Sequence, residues 1–319
     1  MTQYVIRRLL MVIPVLFGVS VIVFAIMRIA PGDVATMILM GSGGEGGASA
    51  EAIAKLREQL GLNKPYHVQY AEFMLGLLRL DPGNSLWSGQ PIRQELAQRL
   101  PITVEVALLA ILVSWVIAIP TGILSAIRQD TWVDWIFRVV SIAGLAVPVF
   151  WMGTLVIMAL TYCCRWIPPL GYTDPLRDPW RHFQQIVWPT LVLGFFLSAV
   201  VSRMTRSAML EVLREDYIRT AWAKGLRERV IVIRHALKNA LLPVITLSSI
   251  QLGNLMGGAV ITETIFTIPG VGRYLVDAIF HRDYPVVQTI VIMLAVIFVF
   301  LNLVVDLVYG WLDPRIRYT

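Results

Sequence analysis

The residues of this chain best suited to chemistry are few, and their spacing speaks against it. Four histidines, His67, His182, His235 and His281, are scattered along the sequence. None lies in a His-Glu-x-x-His pattern, which would set two imidazoles on one helix face around zinc. The two cysteines, Cys163 and Cys164, are neighbours. A disulfide between them would be strained and two thiols make no metal cage, so they read as small apolar core residues and no metal site is expected. Ser85 follows Gly83 by two positions, but the sequence fixes no base beside it. None of the four lysines, Lys55, Lys64, Lys224 and Lys238, follows a glycine, which excludes a phosphate-cradling Gly-Lys-Ser/Thr loop. The chain is expected to bind no cofactor and to catalyse nothing; nucleotide chemistry, if it drives this molecule, belongs to a partner.

What remains is a block of charge. Arg203 to Pro243 carries nine Lys/Arg and four Asp/Glu between two apolar stretches. Leu210, Leu213, Tyr217 and Ala221 recur at helical spacing, with Glu211, Glu215 and Arg219 towards another face. Asp216 is placed to cap a helix from Tyr217 to Lys224, Glu215 and Arg219 are spaced for an i,i+4 pair, and Gly225 supplies the left-handed residue that ends it. A second helix, from Glu228 to Asn239, leads on to Pro243. Two readings compete here: a docking element for a soluble partner, and a solvated basic loop.

The elements that must hold this block are membrane helices. A mean hydropathy of +0.69, with 57% hydrophobic and 15% charged residues, excludes an ordinary soluble domain of 319 residues. The net charge of +6 lies in short segments between apolar runs, so topology accounts for it and no nucleic-acid partner is expected. Six segments are apolar enough to cross about 30 Å of hydrocarbon, which takes about 20 helical residues: 9–29, 103–127, 135–161, 187–206, 242–262 and 286–310. Pro101, Pro189 and Pro243 fall near the starts of the second, fourth and fifth, where a missing N–H is harmless. Pro14, Pro120 and Pro148 lie inside spans and should kink them. Arg7 and Arg8 precede the first span, which reads as an uncleaved anchor. With the N-terminus inside, the inner segments hold fifteen Lys/Arg, against three and two in the outer loops 162–186 and 263–285, so both termini are placed inside.

This gives an anchor helix over 1–30, an external region over 31–101 with short helices, and a core over 102–319 with five spans and the inner loop 207–241. In the external region, Gly41 to Gly47 reads as a flexible or disordered linker, Glu51 to Leu60 as a short helix stopped by Gly61, Tyr70 to Leu80 as a segment that lies along the outer membrane surface or packs on the bundle, and Asp81 to Asn84 as a turn. In the fifth span Ser248, Gln251 and Asn254 stand three apart, beside Gly253 and Gly257. Such a polar, small-residue face is either an interhelical seam or the wall of a path, with Gly144 and the bend at Pro148 as a companion wall. The segment 263–285 carries Glu263, Pro269, Gly270, Arg273, Arg282 and Asp283; a turn-rich charged loop suits contact with a docked protein, or merely joins two spans. Asp306, near the inner end of the last span, reads as half of a structural pair with an arginine.

The run R-M-T-R-S-A-M-L-E-V-L-R-E-D-Y-I-R-T-A-W-A-K-G-L (203–226), followed by H-A-L-K-N-A-L-L-P (235–243), resembles the inner loop of binding-protein-dependent ABC importer permeases, in the branch serving di- and oligopeptides and nickel. That family's signature is Glu-Ala-Ala, three residues, Gly, and a later Leu-Pro. Here Arg219-Thr220-Ala221 stands in for the first three, while Gly225 and Leu242-Pro243 match the rest. L-D-P-G-N-S (80–85) with R-L-P-I-T-V-E (99–105), E-T-I-F-T-I-P-G-V-G-R-Y (263–274) with R-D-Y-P-V-V-Q (282–288), and N-L-V-V-D-L-V-Y-G-W-L-D-P-R-I-R (302–317) agree with it, so the resemblance covers nearly the whole chain.

The resemblance implies an all-α polytopic membrane protein with six transmembrane helices, N-in and C-in, of the type I ABC importer transmembrane fold, in the bacterial inner (plasma) membrane. It implies a permease subunit surrounded by membrane lipid and paired with a second homologous permease, two ATPase subunits that hold ATP and Mg, and an extracytoplasmic solute-binding protein. Glu215, Asp216, Tyr217, Arg219, Thr220, Ala221, Lys224, Gly225 and Leu226 would then form the coupling helix seated in an ATPase. Gly144, Pro148, Ser248, Gln251, Asn254 and Gly257 would line the path, and Glu263, Pro269, Gly270, Arg273, Arg282 and Asp283 would meet the binding protein. The expected cargo is a di- or oligopeptide, with nickel complexes or another small solute as alternatives. An ion-driven secondary transporter is a distant rival, since no inverted repeat is evident.

Overall fold

A computed structural model of the chain describes the backbone of residues 2–29, 34–41 and 49–312, and the side chains within them except at 2–9, 40, 41, 254, 256–258 and 305–312. These residues are helical, with one isolated antiparallel bridge from Asn84 to Pro91 and no strand among them. In chain order the helices are α1 (Thr2–Ile29), α2 (Val34–Gly41), α3 (Ala50–Gln59), α4 (Tyr66–Leu78), α5 (Ile92–Ile127), α6 (Trp132–Ala146) and α7 (Val149–Cys164). They continue with α8 (Pro179–Val212), α9 (Asp216–Ala223), α10 (Glu228–Val230), a π-helical segment (Ile231–Ala236), α11 (Leu237–Ile265), α12 (Val271–Phe280) and α13 (Tyr284–Leu312).

Five helical runs are long and apolar enough to cross a membrane: α1, α5, α8, α10 through α11, and α13. α6 and α7, bent by 101° where they meet, are together long and apolar enough for a sixth crossing when taken as one span. The expected all-α polytopic architecture is therefore present, but its spans differ from the sequence reading. Pro148 does not kink a continuous helix. Val147 before it is extended (φ −83°, ψ 120°) and Pro148 opens α7 as its N-cap, because the residue before a proline avoids helical dihedrals. Pro101, Pro189 and Pro243, expected in first turns, lie well inside α5, α8 and α11. The reason is that these helices outrun their apolar cores: α5 begins among polar residues held by the Glu95–Arg99 pair (2.7 Å), and α8 is capped by Asp178, which accepts from the Arg181 N–H. Two short helices, α2 and α12, were not singled out in the sequence. Cys163 and Cys164, expected as small core residues, are instead exposed at the last two positions of α7. The glycine-rich linker beyond Gly41 lies outside the described residues, as does the side chain of Asp306.

The chain forms two compact units, residues 1–102 with 269–299, and residues 103–268 with 300–319. In the first, Met27, Ile92, Leu96, Val271, Tyr284 and Ile290 make the core. The second is built on α8, whose central window is 67% buried, whereas that of α1 is 17% buried and left to lipid. Two glycines bring α5 and α8 into contact. A methyl group on Gly194 would stand 2.6 Å from Val113 and 2.9 Å from the Ala110 carbonyl; one on Gly122 would stand 2.6 Å from Thr205 and 2.8 Å from the Ser202 carbonyl.

Candidate functional site

The charged block is organised from its buried side. α8 runs to Val212, so Leu210 and Leu213 belong with α8 and the turn behind it, and only Asp216–Ala223 forms a separate helix. Its N-cap is Glu215 rather than Asp216, in extended conformation and without a side-chain cap bond. Arg219 pairs with Asp216 at 3.3 Å, not with Glu215, and both groups are so exposed that the pair contributes little. Gly225 takes φ +74°, the left-handed geometry that its place demanded. The seat of α9 is Ile218 and Ala221, packed with Met209 of α8, Ala126 of α5, Ile231 of the π-helical segment and Ala240 of α11. Of the expected stripe, Ala221 is buried and Leu210 and Leu213 pack against the same core, whereas Tyr217 faces outward, its hydroxyl accepting from Asn239 Nδ2 at 2.7 Å, and Ile218 takes its place. Also exposed are Trp222, Leu226, Val230 and Ile233, along with Arg219, Thr220 and Lys224.

Behind this seat lies a charge pair that the sequence did not reveal. Asp134, in the first turn of α6, has no exposed surface. Its carboxylate accepts from Arg206 Nε at 2.8 Å and Nη2 at 2.7 Å, from the Asp130 N–H at 3.1 Å, and from the Ser125 hydroxyl. The two-pronged bond ties α6 to α8 just before Ala208 and Met209, which help to seat α9. Reading Arg206 as one more inner-loop cation missed it, because its partner is 72 positions away.

In the fifth span Ser248 is buried and fully engaged, accepting from Trp115 Nε1 at 2.8 Å and donating to the Val244 carbonyl at 2.8 Å. That is the geometry of a helix seam. Gln251 is half-buried, whereas the side chain of Asn254 and the surroundings of Gly257 lie outside the described residues. Gly144 serves α6–α8 packing, since a methyl group there would meet Phe195 at 3.3 Å and Ala199 at 3.5 Å.

The segment 263–285 is not one turn-rich loop. Glu263 belongs to the last turn of α11 and is wholly buried, accepting from Thr103 Oγ1 at 2.6 Å. Gly270 caps α12, and Arg273 within it lies 3.9 Å from Asp277. Arg282 takes φ +54° in the turn before Asp283. Asp283 is buried and organises the segment around Ser85, accepting from that hydroxyl and from the Leu86 and Trp87 N–H groups at 3.1 and 3.3 Å. Burial pushes the nearby Tyr274 phenol up to about 12, and the charge of Asp283 adds to the rise. A further cluster went unread. Tyr172 donates to Glu105 at 2.7 Å, and His182 bridges Glu105 and the Thr173 carbonyl at 2.8 and 2.9 Å. Burial first, then the Glu105 bond, raises the Tyr172 phenol. Among the described residues no group of three or more His, Cys, Asp or Glu is placed to hold a metal.

Residues 118–318 match the family described as the binding-protein-dependent transport system inner membrane component, and residues 1–107 match the N-terminal region of such components. The chain is 42% identical to the dipeptide transport system permease protein DppB of Alkalihalophilus pseudofirmus, over the full length of both. It is 39% identical to the di/tripeptide transport system permease protein DppB of Pseudomonas aeruginosa, over 100% of this chain and 99% of that one. A crystal structure of an amino acid ABC transporter with histidines aligns at TM-score 0.46 and 12% identity, over 70% of this chain and 94% of that one; the likeness is too loose to argue from.

Proposed function

The chain belongs to the family of binding-protein-dependent transport system inner membrane components, and on that footing we propose that it is one half of a peptide importer's channel, driven through α9. As a member of that family it is a multi-pass permease subunit of the bacterial inner membrane. The relatives named for dipeptide and di/tripeptide transport support a short peptide as cargo. The assignment of α9 as the coupling element is carried by one observation, the division of this helix into two faces. One face is locked by Ile218 and Ala221 onto four neighbouring elements; the other leaves Tyr217, Trp222 and the following Leu226, Val230 and Ile233 uncovered. Large apolar side chains left uncovered together mark a protein contact rather than a solvated loop. A helix fixed on one face and docked on the other transmits a push as a rigid-body movement.

In this reading two ATPase subunits, holding ATP and Mg, close and carry α9 of this chain and its counterpart in a second, homologous permease. A solute-binding protein delivers the peptide at the opposite side. Its contact surface is the turn at Pro269–Gly270, Arg273 on α12, and Arg282, with the buried Asp283 next in the chain; Glu263 is held by Thr103 instead. The path is lined by Gln251, Asn254 and Gly257 on α11 with the break at Pro148 as a companion wall, whereas Gly144 packs α6 on α8 and Ser248 holds α11 to Trp115.

The test is dipeptide uptake into proteoliposomes carrying this chain, the second permease, both ATPases and the binding protein. Uptake is expected to require ATP, and Trp222→Ala is expected to abolish it while the protein still inserts. Uptake without the ATPases would remove the coupling assignment. Nickel uptake in place of dipeptide uptake would remove the cargo.

A further inference from the structure

In the first unit, α1, α4 and the start of α13 enclose a cleft of about 300 Å³ whose polar groups are set for a ligand that is not protein. Arg28, on α1, enters it. Its guanidinium is held by aromatic rings, with Phe24 at 4.9 Å and Tyr284 at 4.5 Å. Nη2 donates to Gln69 Oε1 at 2.5 Å, and Gln69 is itself nearly buried and fixed by bonds from its amide to the Leu62 and Lys64 carbonyls, at 3.2 and 2.7 Å. The cation is thus aimed rather than loose. Yet its Nε and Nη1 are buried without a partner, and so is Nε2 of Gln288, a residue only 2% exposed on the opposite wall. All three atoms are donors. Leaving a buried donor unpaired costs about 1–3 kcal/mol, and more when it is charged. A ligand rich in acceptors meets this set, and a planar guanidinium fork matches an oxyanion. The rim agrees in sign. Lys64 stands there paired with Glu72 at 2.6 Å, so two cations face one carboxylate.

We propose that this cleft binds the phosphate of a membrane phospholipid, held by Arg28 and Gln288. Two observations favour a lipid phosphate over a free one. Arg28 is the next-to-last residue of the span Leu10–Ile29, at the depth where headgroups meet hydrocarbon, on a helix whose Ile22, Ile26 and Ile29 are exposed. A second, larger cleft of about 550 Å³ adjoins the first across Tyr284, lined by Val23, Met27, Phe280, Val287 and Val291. It is apolar and suits an acyl chain.

The experiment is native mass spectrometry of the detergent-solubilised chain with dioleoyl-phosphatidylglycerol as probe, with dioleoylglycerol and inorganic phosphate in parallel. One retained phosphatidylglycerol is expected, weakened about tenfold or more by Arg28→Gln and by Gln288→Met, with no retention of dioleoylglycerol. Gln288→Met removes a buried donor that has no partner, so its fold should survive, and loss of lipid there cannot be laid to unfolding. If inorganic phosphate displaces the lipid at millimolar concentration, the oxyanion site stands and the lipid is not its source. Equal retention by wild type and both variants, or equal retention of dioleoylglycerol, overturns the site.

Discussion

Asp134 shows how much a single side chain can carry. Its carboxylate is removed from solvent and meets four donors, two of them from Arg206. Removing one member of a buried ion pair leaves the other charge stranded, which costs about 3–5 kcal/mol. Asp134→Ala and Arg206→Met should each lower stability by about that much, and the double variant by clearly less than their sum. Denaturant unfolding in detergent, followed as a double-mutant cycle, reads this directly; additive losses would mean the two side chains act apart. Ser125→Ala should cost only about 1 kcal/mol, since Asp134 keeps its other partners. Nothing local in the sequence announced this pair. A carboxylate's burial depends on what folds over it, which is also why Glu263 and Asp283 were expected at a docking surface and are found inside. Gly225 is the contrast: its left-handed φ was readable because a helix end and its stop residue are neighbours in the chain.

Elements were legible by kind and less so by extent. The apolar runs located every span, but the helices begin about ten residues earlier than hydrocarbon thickness requires at α5 and α8, since polar helix formers continue a helix into water. The glycines singled out were Gly253 and Gly257, on the fifth span, while the close α5–α8 approach uses Gly122 and Gly194. Gly194→Ala should cost about 1–3 kcal/mol through overpacking against Val113 and the Ala110 carbonyl, against almost nothing for Gly18→Ala, where a methyl group meets only open space. Thermal unfolding of the two variants makes that comparison. For α9, Ile218→Asp would bury a charge among Met209, Ile231 and Ala240; the helix should detach and ATPase co-purification should fall, with membrane insertion kept. Gly225→Asp probes a different thing. Any side chain at φ +74° is strained, aspartate and asparagine less than most, and a Cβ there finds nothing of this chain within 4 Å, so a loss of transport beyond that of Gly225→Asn reports the partner's surface. Normal transport by Gly225→Asp would show that no partner closes over that turn.

Across the whole molecule, coupling through α9 requires each segment to occupy a definite side of the membrane. The excess of Lys/Arg in 203–243 over the loops 162–186 and 263–285 sets the charged block inside, because cationic loops resist translocation. Helix order then places the end of α7 outside. The chain has only two cysteines, and both are exposed there, next to Arg165, which turns the chain away with φ +51°. This arrangement yields a direct measurement. A membrane-impermeant maleimide added to spheroplasts should label the wild-type chain, and the variant with Cys163→Ser and Cys164→Ser should take no label. Lys224→Cys in that thiol-free background should react only after the membrane is opened. The opposite pattern would turn the chain over, put α9 and its uncovered Trp222 on the side without ATP, and remove the basis for coupling through it. Labelling in the expected pattern places α9 and the start of the helical run from α10 on the inner side, as the proposed coupling through α9 requires.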